Sequence, residues 1–309
     1  MIELLRVING RLATVESNSE AEIIRLVNPD EAEIKTIQDI THAPYDFITA
    51  ATDRDERPRV EIEDEFKLVI MRVPYEDREL DVPMITIAFG IVLTPDYIIS
   101  VCSLASPVWD VLQKNRARIP SPSNRGEFLC SLFMGIAKLY LSELNKIRNE
   151  ADDVELAIHH SMKNEILIRM LNLEKCLVYF NTSLRAHEPL WDRFRKVYGH
   201  VLSEDEQDLL DDVRIEFRQA QELAEIHSNI LSSMMDAFAS IISNNLNVVM
   251  KFLTAVTIIL MLPTLIASIY GMNVELPFQH SLHAFWITIG ISLMLSIIGV
   301  LIFLRKRFF

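Results

Sequence analysis

Ile269-Tyr270-Gly271-Met272-Asn273-Val274-Glu275 lies near the C-terminus between two apolar runs. Phe252 to Tyr270 is 19 residues without a charge, and Ala284 to Leu304 is 21. An uncharged apolar run of about 18 residues or more is long enough to cross a bilayer as a helix. The 13 residues from Gly271 to His283 therefore close a transmembrane hairpin. Nearly everything upstream lies outside the bilayer.

Lys251 precedes the first span, Arg305-Lys306-Arg307 follows the second, and the loop between them has no Lys or Arg. Positive charge stays on the cytoplasmic side, so both termini are expected in the cytoplasm and the Gly271 loop outside. The net charge of −13 is uneven: from Lys251 onward four bases face Glu275 alone, giving +3 there and −16 over the first 250 residues. An acidic soluble part argues against nucleic acid as a partner and is compatible with cations. Cys102, Cys130 and Cys176 are scattered, with no CxxC, so neither a disulfide framework nor a zinc knuckle is expected. Met1-Ile2-Glu3-Leu4-Leu5-Arg6 does not read as a cleaved signal peptide.

Residues 1–120 read as a cytosolic α/β domain. Glu22–Val27 has strand character, and Asn28-Pro29-Asp30-Glu31 opens a helix with proline and acids at its start. A short helix is expected from Pro44 to about Ala51. Apolar, β-branched runs follow at Arg59–Glu63, Phe66–Val73, Ile85–Leu93 and Tyr97–Val101, spaced by Pro, Asp and Gly as strands of a meander are. No glycine-rich phosphate loop or nucleophile elbow occurs there.

Ile119-Pro120-Ser121-Pro122-Ser123 marks a break, and residues 121–250 read as a helical stalk. Asn124 with Glu127 starts a helix, two long helices turn near His159 to Asn164, and Pro189 and Gly199 precede the last and longest element. That element opens with the capping box Ser203-Glu204-Asp205-Glu206 and has no glycine and one proline, Pro263, as far as Tyr270. If continuous, its helix is about 100 Å long. Val213, Phe217, Ala220, Ala224, His227, Leu231, Met234, Phe238 and Ile241 step by four and three, a heptad seam. Its partner is either the preceding helices or copies of itself, and His227 reads as an interface histidine. Residues 251–309 make up the hairpin, its outer loop and a basic tail.

Continued into the membrane, the same stepping gives Asn247, Met250, Thr254, Thr257, Met261, Thr264, Ser268 and Gly271. This line gathers nearly every polar side chain of the first span. The opposite side is Val248, Val249, Leu253, Val256, Ile259, Leu260, Ile266 and Ile269. A polar stripe on a spanning helix faces protein or water, so it either lines a pore built from several copies or packs helices together. Neither apolar run contains Asp, Glu or His. Uncharged oxygens suit a divalent ion that keeps its water, as Mg²⁺ does. Asn247 and Asn273 offer such oxygens at the two ends, and Glu275, repeated around a ring, adds negative potential outside. His280 and His283 read as part of a solvated loop.

Tyr270-Gly271-Met272-Asn273 ends a long stalk helix, with Leu262-Pro263-Thr264 before it and Glu275 and Pro277 after it. In that context it resembles the signature of the CorA-type magnesium transport family. Arg57-Pro58-Arg59-Val60-Glu61-Ile62-Glu63-Asp64-Glu65-Phe66 resembles a cytosolic segment of the same family. The resemblance implies a funnel-shaped homopentamer with the first span of each subunit lining one pore. It implies that Gly271, Met272 and Asn273 form the outer selectivity ring, and that Asn247, Met250 and Met261 face the pore. It further implies that Mg²⁺ bound between subunits holds the pore shut, through Asp212 with Asp64 and Glu65 as partner acids. The family commonly carries proline where Leu262 stands; here Pro263 follows instead. The expected function is passive Mg²⁺ influx across the cell membrane, with Co²⁺ and Ni²⁺ as further cargo. Two alternatives are a Zn²⁺ transporter of the same superfamily and a membrane-anchored coiled-coil sensor or scaffold. The scaffold explains the hairpin and heptads but not the polar stripe. No nucleophile–base pair or cofactor motif marks an enzyme.

Overall fold

The computed structural model describes residues 1–77, 82–114, 118–160, 164–274, 276–277 and 282–305. The chain divides into two compact units, Met1–Met234 and Met235–Phe309.

The first unit opens with a hairpin that the sequence reading above does not contain: β1 (Ile2–Ile8) and β2 (Arg11–Thr14). Asn9 and Gly10 join them at φ 54° and 78°, left-handed conformations that Asn and Gly adopt at low cost and that match strand twist. After β3 (Ile23–Val27) comes α1 (Glu31–Thr41). The Glu33 N–H donates to the Asp30 carboxylate at 2.8 Å and the Asp30 N–H donates to the Glu33 carboxylate at 3.1 Å, a reciprocal cap. The short helix expected near Pro44 is α2 (Tyr45–Thr49) with a 3-10 turn at Ala50–Thr52. The meander is β4 (Arg59–Glu63), β5 (Phe66–Glu76), β6 (Met84–Leu93) and β7 (Ile98–Cys102).

The sheet order is β2-β1-β3-β7-β6-β5-β4, with β3 and β7 parallel and the other neighbours antiparallel. Every residue of β6 is buried, as in a strand covered on both faces. On one face Ile24, Leu68, Ile70 and Val101 pack with Ile37, Phe47 and Ile48 of α1 and α2. The other face is covered by α4 (Arg125–His160) and α5 (Asn164–Tyr198), whose Phe133, Tyr140, Phe180 and Phe194 are fully buried. A further helix, α3 (Val108–Lys114), was not expected from sequence.

α5 runs through Pro189, where an interruption is expected. Interior proline costs a helix about 3 kcal/mol. Leu190, Trp191 and Phe194 just beyond it are buried. Burial contributes about 1.5–3 kcal/mol for each such side chain, which outweighs the lost bond.

The expected long helix is α6 (Glu204–Tyr270), unbroken at Pro263. Its cap is as read: the Ser203 N–H donates to the Glu206 carboxylate at 2.8 Å, and the Glu206 N–H donates to Ser203 Oγ at 3.3 Å. Val213, Phe217, Ala220, Ala224 and Leu231 of the seam are buried within the chain. The Phe217 ring lies 4.9 Å from Trp191, 5.2 Å from His187 and 6.2 Å from Tyr140. The seam's partners over this stretch are therefore the chain's own α4 and α5. His227 is half-buried on the seam, its pKa lowered by burial and then by Arg148.

Among the described residues, β4 pairs with Phe66–Ile70 of β5 alone. Beyond it, the Arg72 N–H donates to His187 Nε2 at 3.0 Å and the Arg72 carbonyl accepts from Tyr140 Oη at 2.9 Å. Two side chains from α5 and α4 thus satisfy backbone groups that a longer β4 would have paired.

Candidate functional site

In the second unit, α6 continues to Tyr270 and α7 covers Ala284–Arg305. The two helices approach closely at Gly299: a Cβ there would stand 3.4 Å from Leu262 Cδ1 and 3.7 Å from Ile259 Cγ1. Small residues allow such approaches between spanning helices. Ala255 is buried, and Val256, Ile259, Leu262, Pro263 and Ile266 are half-buried.

Asn247, Met250, Thr254, Thr257, Met261, Thr264, Ser268 and Gly271 are all exposed. With 3.6 residues per turn, this row lies on the opposite side of α6 from Ala255, Ile259, Leu262 and Ile266. Contact with α7 leaves the row uncovered in a single chain. The covered strip is narrower than the apolar side expected from sequence, because Val248, Val249, Leu253, Leu260 and Ile269 are also exposed.

The threonine hydroxyls of the row are turned inward as donors. Thr254 donates to the Met250 carbonyl at 2.8 Å, Thr257 to Leu253 at 2.8 Å and Thr264 to Leu260 at 3.1 Å. Each hydroxyl oxygen keeps lone pairs for an outside partner. The row therefore offers acceptors without formal charge. Pro263 has no N–H, so the Ile259 carbonyl lacks its usual helical donor.

The helix closes with the Gly271 N–H on the Ala267 carbonyl at 2.9 Å and the Met272 N–H on the Ile269 carbonyl at 3.2 Å. Gly271, Met272 and Asn273 are exposed. A Cβ at Gly271 would stand 3.3 Å from the Ala267 carbonyl oxygen, a tight approach. Tyr270 Oη donates to the Pro277 carbonyl at 3.1 Å, tying the end of the span to the far part of the loop. Sequence reading missed this bond; the tyrosine stood out only as part of a motif. Glu275, His280, Lys306 and Arg307 lie outside the described residues.

Asp64 and Glu65 form the turn between β4 and β5, with Asp64 at φ 51°. Asp212 sits on α6 next to the buried Val213. All three acids are exposed. Among the described residues, no three His, Cys, Asp or Glu side chains gather as a metal site. One chain alone does not assemble these acids into a binding cluster.

A family model described as CorA-like Mg²⁺ transporter protein matches residues 18–307. The chain belongs to the CorA family. Its relatives include the Cobalt/magnesium transport protein CorA of Methanocaldococcus jannaschii, 26% identical over 259 residues that cover 82% of this chain and 80% of the relative. The CorA protein of Thermotoga maritima, with the same description, is 26% identical over 275 residues, 82% of this chain and 72% of the relative. The complete structure of the CorA magnesium transporter from Methanocaldococcus jannaschii matches with a TM-score of 0.84 at 23% identity, over 99% of this chain and 98% of that one. The fold is that of CorA along the whole chain. CorA proteins are membrane transporters rather than enzymes, and the helices of this chain that end at Tyr270 and Arg305 are long and apolar enough to cross a membrane.

Proposed function

We propose that the chain is one subunit of a homopentameric channel that lets Mg²⁺ run passively into the cell, with Co²⁺ and Ni²⁺ as further cargo. The observation that carries this reading is the uncovered polar row from Asn247 to Gly271, on the side of α6 away from α7 and ending at the exposed Gly-Met-Asn turn. Relatives described as cobalt/magnesium transport proteins support the choice of ion.

Mg²⁺ sheds its waters reluctantly and prefers hard oxygen. Copies arranged around an axis would ring the ion's water shell with hydroxyl, amide and carbonyl oxygens. Asn247 stands at the inner end, Met250 and Met261 narrow the path, and Gly271, Met272 and Asn273 form the outer filter. Glu275 adds negative potential at the mouth. Both termini lie in the cytoplasm and the loop outside the cell membrane, following the basic residues that flank the spans.

Asp212, Asp64 and Glu65 form the regulatory part of the proposal. Carboxylate oxygens are the donors Mg²⁺ takes, and exposure on one chain leaves all three free to meet a neighbouring copy. Cytosolic Mg²⁺ that binds the shut state more tightly than the open one holds it shut by mass action. When the ion is scarce the facing acids repel and the subunits loosen. Residues 1–120 and 121–250 then serve as sensor and stalk, and residues 251–309 as the conducting part.

The experiment is Mg²⁺ uptake into liposomes carrying the purified protein. Wild type should move Mg²⁺ and Asn273→Ala should move much less; no uptake by wild type, or equal uptake by the variant, overturns the pore. Asp212→Asn should keep flux high when internal Mg²⁺ is millimolar. Unchanged gating in that variant removes the regulatory part alone.

A further inference from the structure

At the end of β5 far from Asp64 and Glu65, the first unit contains a cavity of about 750 Å³. Glu76 and Asp77 from β5 and its exit, Glu143 and Lys146 from α4, and Arg54 bring three acids and two bases to its walls. Leu104 and Pro107 add an apolar side.

Glu143 is the unusual member. The residue is only 7% exposed. Its Oε1 accepts from Lys146 Nζ at 2.8 Å, while its Oε2 is buried without a hydrogen-bond partner. A buried acceptor oxygen without a donor is costly. Asp77, by contrast, accepts from Arg54 at 2.9 Å.

The walls narrow the chemistry of the missing donor. Among the described residues, three acids stand against two bases on these walls, and the atom that lacks a partner is an acceptor, which favours a donating cation. Among the described residues these acids do not gather as a three-ligand metal group. The volume also exceeds what one ion fills and suits an organic molecule. An alkyl stem can lie on Leu104 and Pro107 while its charged head reaches the carboxylate, as lysine stems do on apolar surfaces.

We propose that this cavity binds an alkylammonium cation of the polyamine class, with one primary ammonium donating to the Glu143 carboxylate and the hydrocarbon stem along the Leu104–Pro107 wall. Lys146 is the internal competitor. Its side chain is 57% exposed, and its ammonium already bonds the same carboxylate. A bound polyamine shares that carboxylate with Lys146 or displaces it.

The test is calorimetric titration of spermidine into the full-length protein in detergent, with millimolar Mg²⁺ present to occupy exposed acids. Wild type should bind one spermidine per chain. Glu143→Gln should weaken binding about tenfold or more, as expected for loss of a hydrogen bond to a charged group. Lys146→Ala should tighten it several-fold. Ala105→Trp, at an exposed position of the cavity wall, should abolish binding without disturbing the core and keeps the test decisive if Glu143→Gln misfolds. Absence of saturable binding to wild type, or unchanged binding in Glu143→Gln or Ala105→Trp, overturns the proposal. Mg²⁺ uptake is measured separately, so failure of the pore reading leaves this result standing.

Discussion

Replacing His187 with glutamine should remove a proton-linked instability from the first unit. The ring is fully buried, and its Nε2 accepts the Arg72 N–H at 3.0 Å. Only the neutral ring can do this, with its hydrogen on Nδ1, a buried atom without a partner. Burial, reinforced by the nearby Arg72 charge, pushes the His187 pKa from 6.5 to about 3. In the unfolded chain the ring titrates near its ordinary value. Between those two values the unfolded state therefore takes up a proton that the native state refuses. The sign follows: above about pH 6.5 the group contributes no pH dependence, and as pH falls from there towards 3 it destabilises the fold. The slope approaches about 1.4 kcal/mol per pH unit, so the loss is about 2–3 kcal/mol two units below the ordinary pKa. Glutamine offers a carbonyl to the same N–H and does not titrate. The assay is denaturant unfolding of the full-length wild type and H187Q from about pH 7.5 to about pH 4.5, followed by tryptophan fluorescence. Trp191, 6.4 Å from the His187 ring, is a local reporter. The stability difference between the two proteins should change by about 2–3 kcal/mol over that range, other titrating groups cancelling. A difference constant with pH refutes the argument.

Phe217→Ala removes a ring that is 4% exposed and packed between α4 and α5; it should cost about 3–5 kcal/mol, read as a large drop in thermal midpoint, and a loss under about 1 kcal/mol would contradict the packing described. Tyr270→Phe removes one hydrogen bond, worth about 1 kcal/mol locally. Mg²⁺ uptake should fall while the melting of the first unit stays unchanged, and full uptake would show that the bond to Pro277 does not hold the loop.

Strong periodic signals were legible in the sequence. Continuous β-branched runs became β5, β6 and β7 because apolar strands have few alternatives once covered on both faces. The Ser203 cap and the heptad seam set the start and buried side of α6. The β1–β2 hairpin was missed although Asn9-Gly10 between alternating runs carries its signal. Pro189 misled because local backbone cost was weighed without the aromatic burial beyond it. For the candidate site, the polar row was visible in advance, since spacing alone places residues on a helix side. What covers the other side was not, because that depended on Gly299, a glycine in a uniformly apolar segment. The Tyr270–Pro277 bond joins residues whose pairing no periodicity announces. The separation of Asp64 and Glu65 from Asp212 into no common cluster within one chain also lay beyond sequence spacing.

The sealed backbone at Arg72 has a consequence for how copies of this chain can associate. A sheet grows by offering unpaired N–H and C=O groups at its rim. Here the rim strands are β2, with four residues, and β4, with five. β4 carries Arg59, Glu61 and Glu63, and Arg59 is ion-paired to Glu61 and Glu56. The stretch of β5 that outruns β4 has its Arg72 groups already taken by His187 and Tyr140. Strand addition from another copy is thereby discouraged along this side. A partner that docks through side chains can slide or tilt by small steps, whereas one added by a backbone ladder is locked in register.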